Sequence, residues 1–203
     1  MFTSRYKPFF NRLIEPLARA LAASGISPNT LTLATPLLCL IVCWCFITTR
    51  AVVLFCLLMT AVVCLDWLDG AVARVSGRTS RFGGYLDAMA DRYVDVMIVI
   101  AIADVSGYWL LSMLVLAGTL LVSYAKARAS MEAPIANLEW PDLMERSERG
   151  VVVLLGLLAW RLLPWRPLGR DLLWWALALL AALTHVTVLQ RILRARRFIR
   201  DRG

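Results

Sequence analysis

AVVLFCLLMTAVVCLDWLDGAV, residues 51–72, opens with fifteen residues that carry no charge and closes on two aspartates. A helix needs about 20 mostly apolar residues to cross the hydrocarbon layer of a bilayer, and this stretch has that length and character. Comparable runs occupy 30–48, 84–106, 107–128, 149–163 and 168–190. The pattern predicts an all-α integral membrane protein with six transmembrane helices. Composition agrees: 60% of the 203 residues are hydrophobic and mean hydropathy is +0.69, whereas a soluble domain sits nearer half apolar. The run at 149–163 is short, and only Asp104, Ser106 and Gly107 separate the third run from the fourth. Five spans is therefore the alternative count.

Lysine and arginine collect on the cytoplasmic side of membrane proteins. Six spans would place Arg5, Lys7, Arg12, Arg19, Arg74, Arg78, Arg81, Arg92, Lys126, Arg128, Arg146 and Arg149 on one side, with the six arginines from Arg191 to Arg202. The other side keeps Arg50, Arg161, Arg166 and Arg170. The bias of eighteen to four predicts both termini in the cytoplasm, in the cell inner (plasma) membrane. The net charge of +8 then faces anionic lipid head groups, and no nucleic-acid partner is expected. Cys39, Cys43, Cys45, Cys56 and Cys64 fall inside apolar runs without metal-type spacing, which reads as packing rather than a disulfide framework. The first apolar run begins near Thr30 behind a charged stretch, so no cleavable signal is expected.

Within residues 4–23, Phe10, Leu13, Ile14, Leu17 and Leu21 recur on one helical face, with Arg5, Arg12, Glu15 and Arg19 on another. This predicts an N-terminal interfacial amphipathic helix, with Pro16 kinking or splitting it. The longest polar stretch, 130–147, reads as a cytoplasmic loop. The resulting division is 1–24 juxtamembrane helix, 25–197 six-helix domain and 198–203 basic C-terminal tail.

The chemistry concentrates in residues 65–95, LDWLDGAVARVSGRTSRFGGYLDAMADRYVD. Asp66 and Asp69 are three apart, and Asp87 and Asp91 four apart, so each pair shares a helix face. The short basic turn between them lets the two helices run antiparallel and present carboxylates to each other. A charge inside a span costs about 2.5–3.5 kcal/mol on insertion scales, and neighbouring carboxylates repel. Divalent cations relieve both, and all-oxygen ligation suits Mg²⁺ or Mn²⁺. Two such ions per site can clamp a phosphoryl centre. Gly70, Ala73 and Gly83 lack bulk, so a phosphate or a base can approach the backbone. Arg74 offers a planar fork to a phosphate.

The segment matches D-x-x-D-G-x-x-A-R-x(8)-G-x(3)-D-x(3)-D at Asp66, Asp69, Gly70, Ala73, Arg74, Gly83, Asp87 and Asp91. In this it resembles the CDP-alcohol phosphotransferase (CDP-alcohol phosphatidyltransferase) family, whose six-helix fold the surrounding apolar runs suit. The resemblance implies an enzyme of phospholipid biosynthesis that moves a phosphatidyl group from CDP-diacylglycerol, or a CDP-ether lipid, to an alcohol with release of CMP. It implies Asp66, Asp69, Asp87 and Asp91 as metal ligands, with Asp91 also the catalytic base. It implies Asp66, Gly70, Ala73, Arg74 and Gly83 around the CDP group, and a homodimer. PNTLT at 28–32 resembles the family's N-terminal edge, which adds Asn29 and Thr32 to the CDP set; by itself it is a helix start.

SYAKARA at 123–129, MERSER at 144–149 and VTVLQR at 186–191 resemble the phosphatidylinositol-phosphate synthase branch and its archaeal ether-lipid counterpart. There the matching basic positions, Lys126, Arg146 or Arg149, and Arg191, imply contacts to the phosphate of inositol phosphate. Asp95, one turn past Asp91, also fits that branch. Ser130 stands where an acidic residue often follows KARA, and Ser147 where proline is common; glycerol 3-phosphate is the rival acceptor. In another class, intramembrane aspartates also mark cation transporters, although Arg74, Arg78 and Arg81 would line a cation path poorly. His185 reads as a hydrogen-bonded interior side chain.

Overall fold

The computed structural model describes residues 14–132 and 146–202. Most of the polar stretch at 130–147, and the 4–13 part of the predicted interfacial helix, lie outside the described residues. All regular structure among the described residues is helical. The chain divides into two compact units, residues 2–105 and 106–203.

In the first unit, residues 14–23 are helical (α1) and run past Pro16 without a break. Ala18 is fully buried against Ala71 and Val72, with Ile14, Leu21 and Ala22 around it. Leu17, placed by periodicity on the apolar face, is 53% exposed.

Helix α2 spans Pro28–Thr49. Ser27 caps it, its Oγ accepting from the Thr30 N–H at 3.2 Å, and Pro28 occupies the first turn, where no N–H is needed. Arg50 adopts a left-handed conformation (φ 54) and donates to the Phe46 carbonyl at 2.8 Å, ending α2. That tight reversal lets α3 (Val52–Val75) fold straight back. Phe46 and Phe55 stack with centroids 4.1 Å apart, and Cys39, Cys43, Cys56, Met59 and Val62 are buried. The buried cysteines are packing groups. After α3, Gly77 turns the chain at φ +66, and Ser80 Oγ accepts from the Gly83 N–H at 2.9 Å to start α4 (Arg81–Ser106).

In the second unit, α5 (Trp109–Glu132) and α6 (Arg146–Leu162) each pack on α7 (Leu172–Arg202). Small residues let the backbones approach closely, as is usual where lipid removes the hydrophobic drive between helices. A Cβ on Gly118 would fall 2.2 Å from the Thr184 Oγ1, and one on Gly156 would fall 2.6 Å from the Ala176 Cβ. The Thr184 hydroxyl satisfies itself on the Leu180 carbonyl at 2.8 Å. His185 Nδ1 lies 2.9 Å from the Ala181 carbonyl, inside the helix as the sequence suggests. At the start of α7, Asp171 accepts from the Trp174 N–H at 2.9 Å and from the Tyr108 hydroxyl at 2.6 Å. Burial first, and then the Asp171 carboxylate, push the Tyr108 hydroxyl up to about 12, so it stays a donor.

Among the described residues, four helices are long and apolar enough to cross a membrane: α2, α3, α5 and α7 over Leu172–Arg200. The third and fifth predicted spans are helices too, α4 and α6. However, α4 carries Arg81, Asp87, Asp91, Arg92, Asp95 and Asp104, and α6 has 17 residues. At 1.5 Å per residue α6 is about 25 Å long, against about 30 Å of hydrocarbon. The last helix is longer than the 168–190 run, because its basic end continues helical to Arg202.

Candidate active site

Helices α3 and α4 bring the motif's carboxylates together. Asp66, Asp87 and Asp91, all half-buried, each offer a carboxylate oxygen, and these oxygens lie within 4.8 Å of one another. Two charges at about 4 Å repel by about 4 kcal/mol at an effective dielectric of 20, less where water reaches them. The same spacing nearly matches one coordination sphere: oxygens about 2.1 Å from Mg²⁺ are at most about 4.2 Å apart. Small side-chain adjustments would let the three share a divalent cation. The donor set is all oxygen, as Mg²⁺ or Mn²⁺ prefers, so these residues fit the ion that the sequence implies.

Asp69 is not in that group of three. It is buried, and its Oδ2 accepts from the Thr32 Oγ1 at 2.6 Å. That contact joins α2 to α3 across 37 residues of sequence. Thr32 also lies 3.1 Å from the Pro28 carbonyl, but its single hydroxyl proton favours the shorter, charge-assisted bond. Asn29 reaches the start of α4, where a Cβ on Gly83 would meet its Oδ1 at 3.3 Å and the Ser80 Oγ at 3.1 Å. Glycine is what permits this approach. The exposed Arg74 curls back over its own helix, its Nη1 being 3.5 Å from where a Gly70 Cβ would be. Arg74 also lines an open groove of about 500 Å³ with Glu15, Arg19, Ala71 and Val75. Ala73 sits half-buried between these residues in α3.

Sequence reasoning treated Arg92 only as a topology signal. In the structure its guanidinium lies 3.8 Å from the Asp91 Oδ2 and 3.4 Å from the Asp95 Oδ2. The i+3 spacing of Asp95 is the one signal that could have found it. Ser80 was also missed, although a serine directly before a helix start, accepting from the N–H three residues on, is a capping pattern.

The basic residues of the second unit are placed differently. Lys126 is half-buried in α5, and Arg146 and Arg149 stand in the first turn of α6, the latter buried. Arg191 of α7 is buried, and its Nη1 donates to the Val122 carbonyl of α5. It borders an apolar groove of about 320 Å³ with Tyr124, Ala125, Val188 and Ile192.

The sequence profile of the CDP-alcohol phosphatidyltransferase family matches residues 25–187. An archaetidylinositol phosphate synthase of Pyrococcus horikoshii is 30% identical over 196 residues, covering 96% of each chain. The crystal structure of Mycobacterium tuberculosis phosphatidylinositol phosphate synthase with CDP-DAG bound superposes with a TM-score of 0.79 and 25% identity, over 91% of this chain and 94% of that one. The same enzyme in complex with manganese and citrate gives 0.79 and 26%, over 90% and 88%.

Proposed function

Because the chain belongs to the CDP-alcohol phosphatidyltransferase family, we propose that it transfers a phosphatidyl-type group from a CDP-linked lipid to a hydroxyl of inositol phosphate, releasing CMP. The observation that carries this reading is the convergence of Asp66, Asp87 and Asp91 within 4.8 Å, inside a segment that matches the family signature at every fixed position. Relatives named for archaetidylinositol phosphate and phosphatidylinositol phosphate synthesis support the acceptor.

Asp66, Asp87 and Asp91, with Asp69 beside them, would hold Mg²⁺ or Mn²⁺, two per site. Bound there, the ions supply Lewis acidity toward the diphosphate and neutralise charge on the departing CMP. Asp91 takes the proton from the acceptor hydroxyl as its oxygen bonds to the lipid-side phosphorus and the bond to CMP breaks. Arg92 holds that carboxylate in place. Arg74 pairs with a phosphate, while Asn29, Gly70, Ala73 and Gly83 let the nucleotide lie close to the backbone. Lys126, Arg146, Arg149 and Arg191 bind the acceptor's phosphate through charge-assisted bonds. The enzyme works as a homodimer in the inner membrane. Six helices cross the bilayer, α1 lies in the head-group layer, and both termini face the cytoplasm. The donor enters from the bilayer and the acceptor from the cytoplasm.

The test is CMP release by purified protein given CDP-diacylglycerol, Mn²⁺ or Mg²⁺, and one acceptor at a time: inositol phosphate, glycerol 3-phosphate, inositol or serine. Release with inositol phosphate, abolished by EDTA, is expected. Release with glycerol 3-phosphate instead would overturn the acceptor, and no release with any acceptor would overturn the reaction.

A further inference from the structure

We propose that residues 161–170, the end of α6 and the connection to α7, form an anchor for anionic phospholipid at the bilayer surface. Three of the four arginines that run against the predicted orientation, Arg161, Arg166 and Arg170, are exposed here. Between them the chain exposes Leu162, Leu163, Trp165 (67%) and Leu168 (88%).

Leu168 stands at φ 53 and ψ 31, a left-handed conformation that crowds the Cβ of an L residue. Nevertheless the turn is firmly braced. The Trp175 indole donates to the Pro167 carbonyl at 3.1 Å, and the Gly169 and Arg170 amides return to the Arg166 and Pro167 carbonyls at 3.2 Å each. Arg170 lies 5.5 Å over the Trp174 ring. The Asp171 carboxylate beside Arg170 accepts from the Trp174 amide of α7 and from the Tyr108 hydroxyl. The outward face is thus positive and apolar in alternation.

A leucine held outward by a braced turn gains nothing from water. It gains from the acyl boundary, where tryptophan also prefers to lie. Arginines on either side can lay their stems along that boundary and keep their guanidinium groups at phosphate depth. A free phosphate ion would satisfy the arginines but leave Trp165 and Leu168 in water, so the partner is a lipid. Because the segment joins the ends of two helices, this holds whichever side of the membrane it faces.

The test places a bimane fluorophore at Leu163→Cys in otherwise intact protein in nanodiscs, with the signal from labelled protein lacking that substitution subtracted. Brominated phosphatidylglycerol and brominated phosphatidylcholine are compared as quenchers at equal mole fraction. Attraction of one surface arginine for an anionic head group corresponds to about fivefold enrichment, so quenching by the anionic lipid should exceed that by the zwitterionic one several-fold. Arg161→Gln with Arg166→Gln should bring the ratio close to one. Equal quenching by both lipids in the parent would remove the anionic preference. No quenching by either would remove the anchor altogether.

Discussion

Replacing Thr32 by valine keeps the size and β-branching of the side chain and removes one hydroxyl. In the structure that hydroxyl donates to the Asp69 Oδ2 at 2.6 Å. Thr32 is 5% exposed and Asp69 7%, so water has little room to take the lost place. A hydrogen bond to a charged group contributes about 1.5–3 kcal/mol, or a factor of about 10–150. Partners that orient metal ligands typically cost 10–100-fold in affinity when lost, by order of magnitude. We expect Thr32→Val to weaken Mn²⁺ binding about 10–100-fold, read by calorimetric titration, and to lower CMP release in proportion at limiting Mn²⁺. Thr32→Ser restores the donor and should recover most of both. The sequence-based role for Thr32, contact with the CDP group, makes a different forecast: a higher KM for CDP-lipid with unchanged Mn²⁺ affinity. Mn²⁺ binding by Thr32→Val within twofold of the parent would refute the positioning role.

Asp91→Asn should abolish CMP release while melting like the parent and retaining measurable CDP-lipid binding; ordinary turnover would remove Asp91 as the base. Arg191→Ala should raise KM for inositol phosphate at least about tenfold and leave KM for CDP-diacylglycerol nearly unchanged. It should also lower Tm, because the Val122 carbonyl loses its donor; a lower Tm with both KM values intact would make Arg191 purely structural. Gly118→Ala drives a methyl to 2.2 Å from the Thr184 Oγ1 and 2.7 Å from its Cβ. Overpacking of about 1–3 kcal/mol should outweigh a helix-propensity gain of at most about 1 kcal/mol, lowering Tm by several degrees. Gly150→Ala, with nothing within 4 Å, is the control and should leave Tm unchanged or slightly higher.

What the sequence discloses is local. The spacing of Asp66 to Asp69 and of Asp87 to Asp91 follows from helix geometry, and the short turn between makes the two pairs neighbours; the structure brings three of the four together. The Thr32–Asp69 bond spans 37 residues and the Arg191–Val122 bond spans 69, and no periodicity encodes either. The periodicity of α1 shows an apolar face but not which of its residues dock on α3: Ala18 packs against Ala71 and Val72, while Leu17 stays exposed. Span counting was least secure where chemistry intrudes, since the carboxylates that give α4 its interest also make it a poor hydrocarbon helix.

The two glycine notches, Gly118 on α5 and Gly156 on α6, are both filled by α7, which follows them in the chain. During synthesis, α5 and α6 therefore leave the ribosome with their close-packing surfaces unmatched. Their pairing waits for Leu173, Ala176 and Thr184 to arrive. A nascent chain stalled before that point would hold two helices with neither one seated.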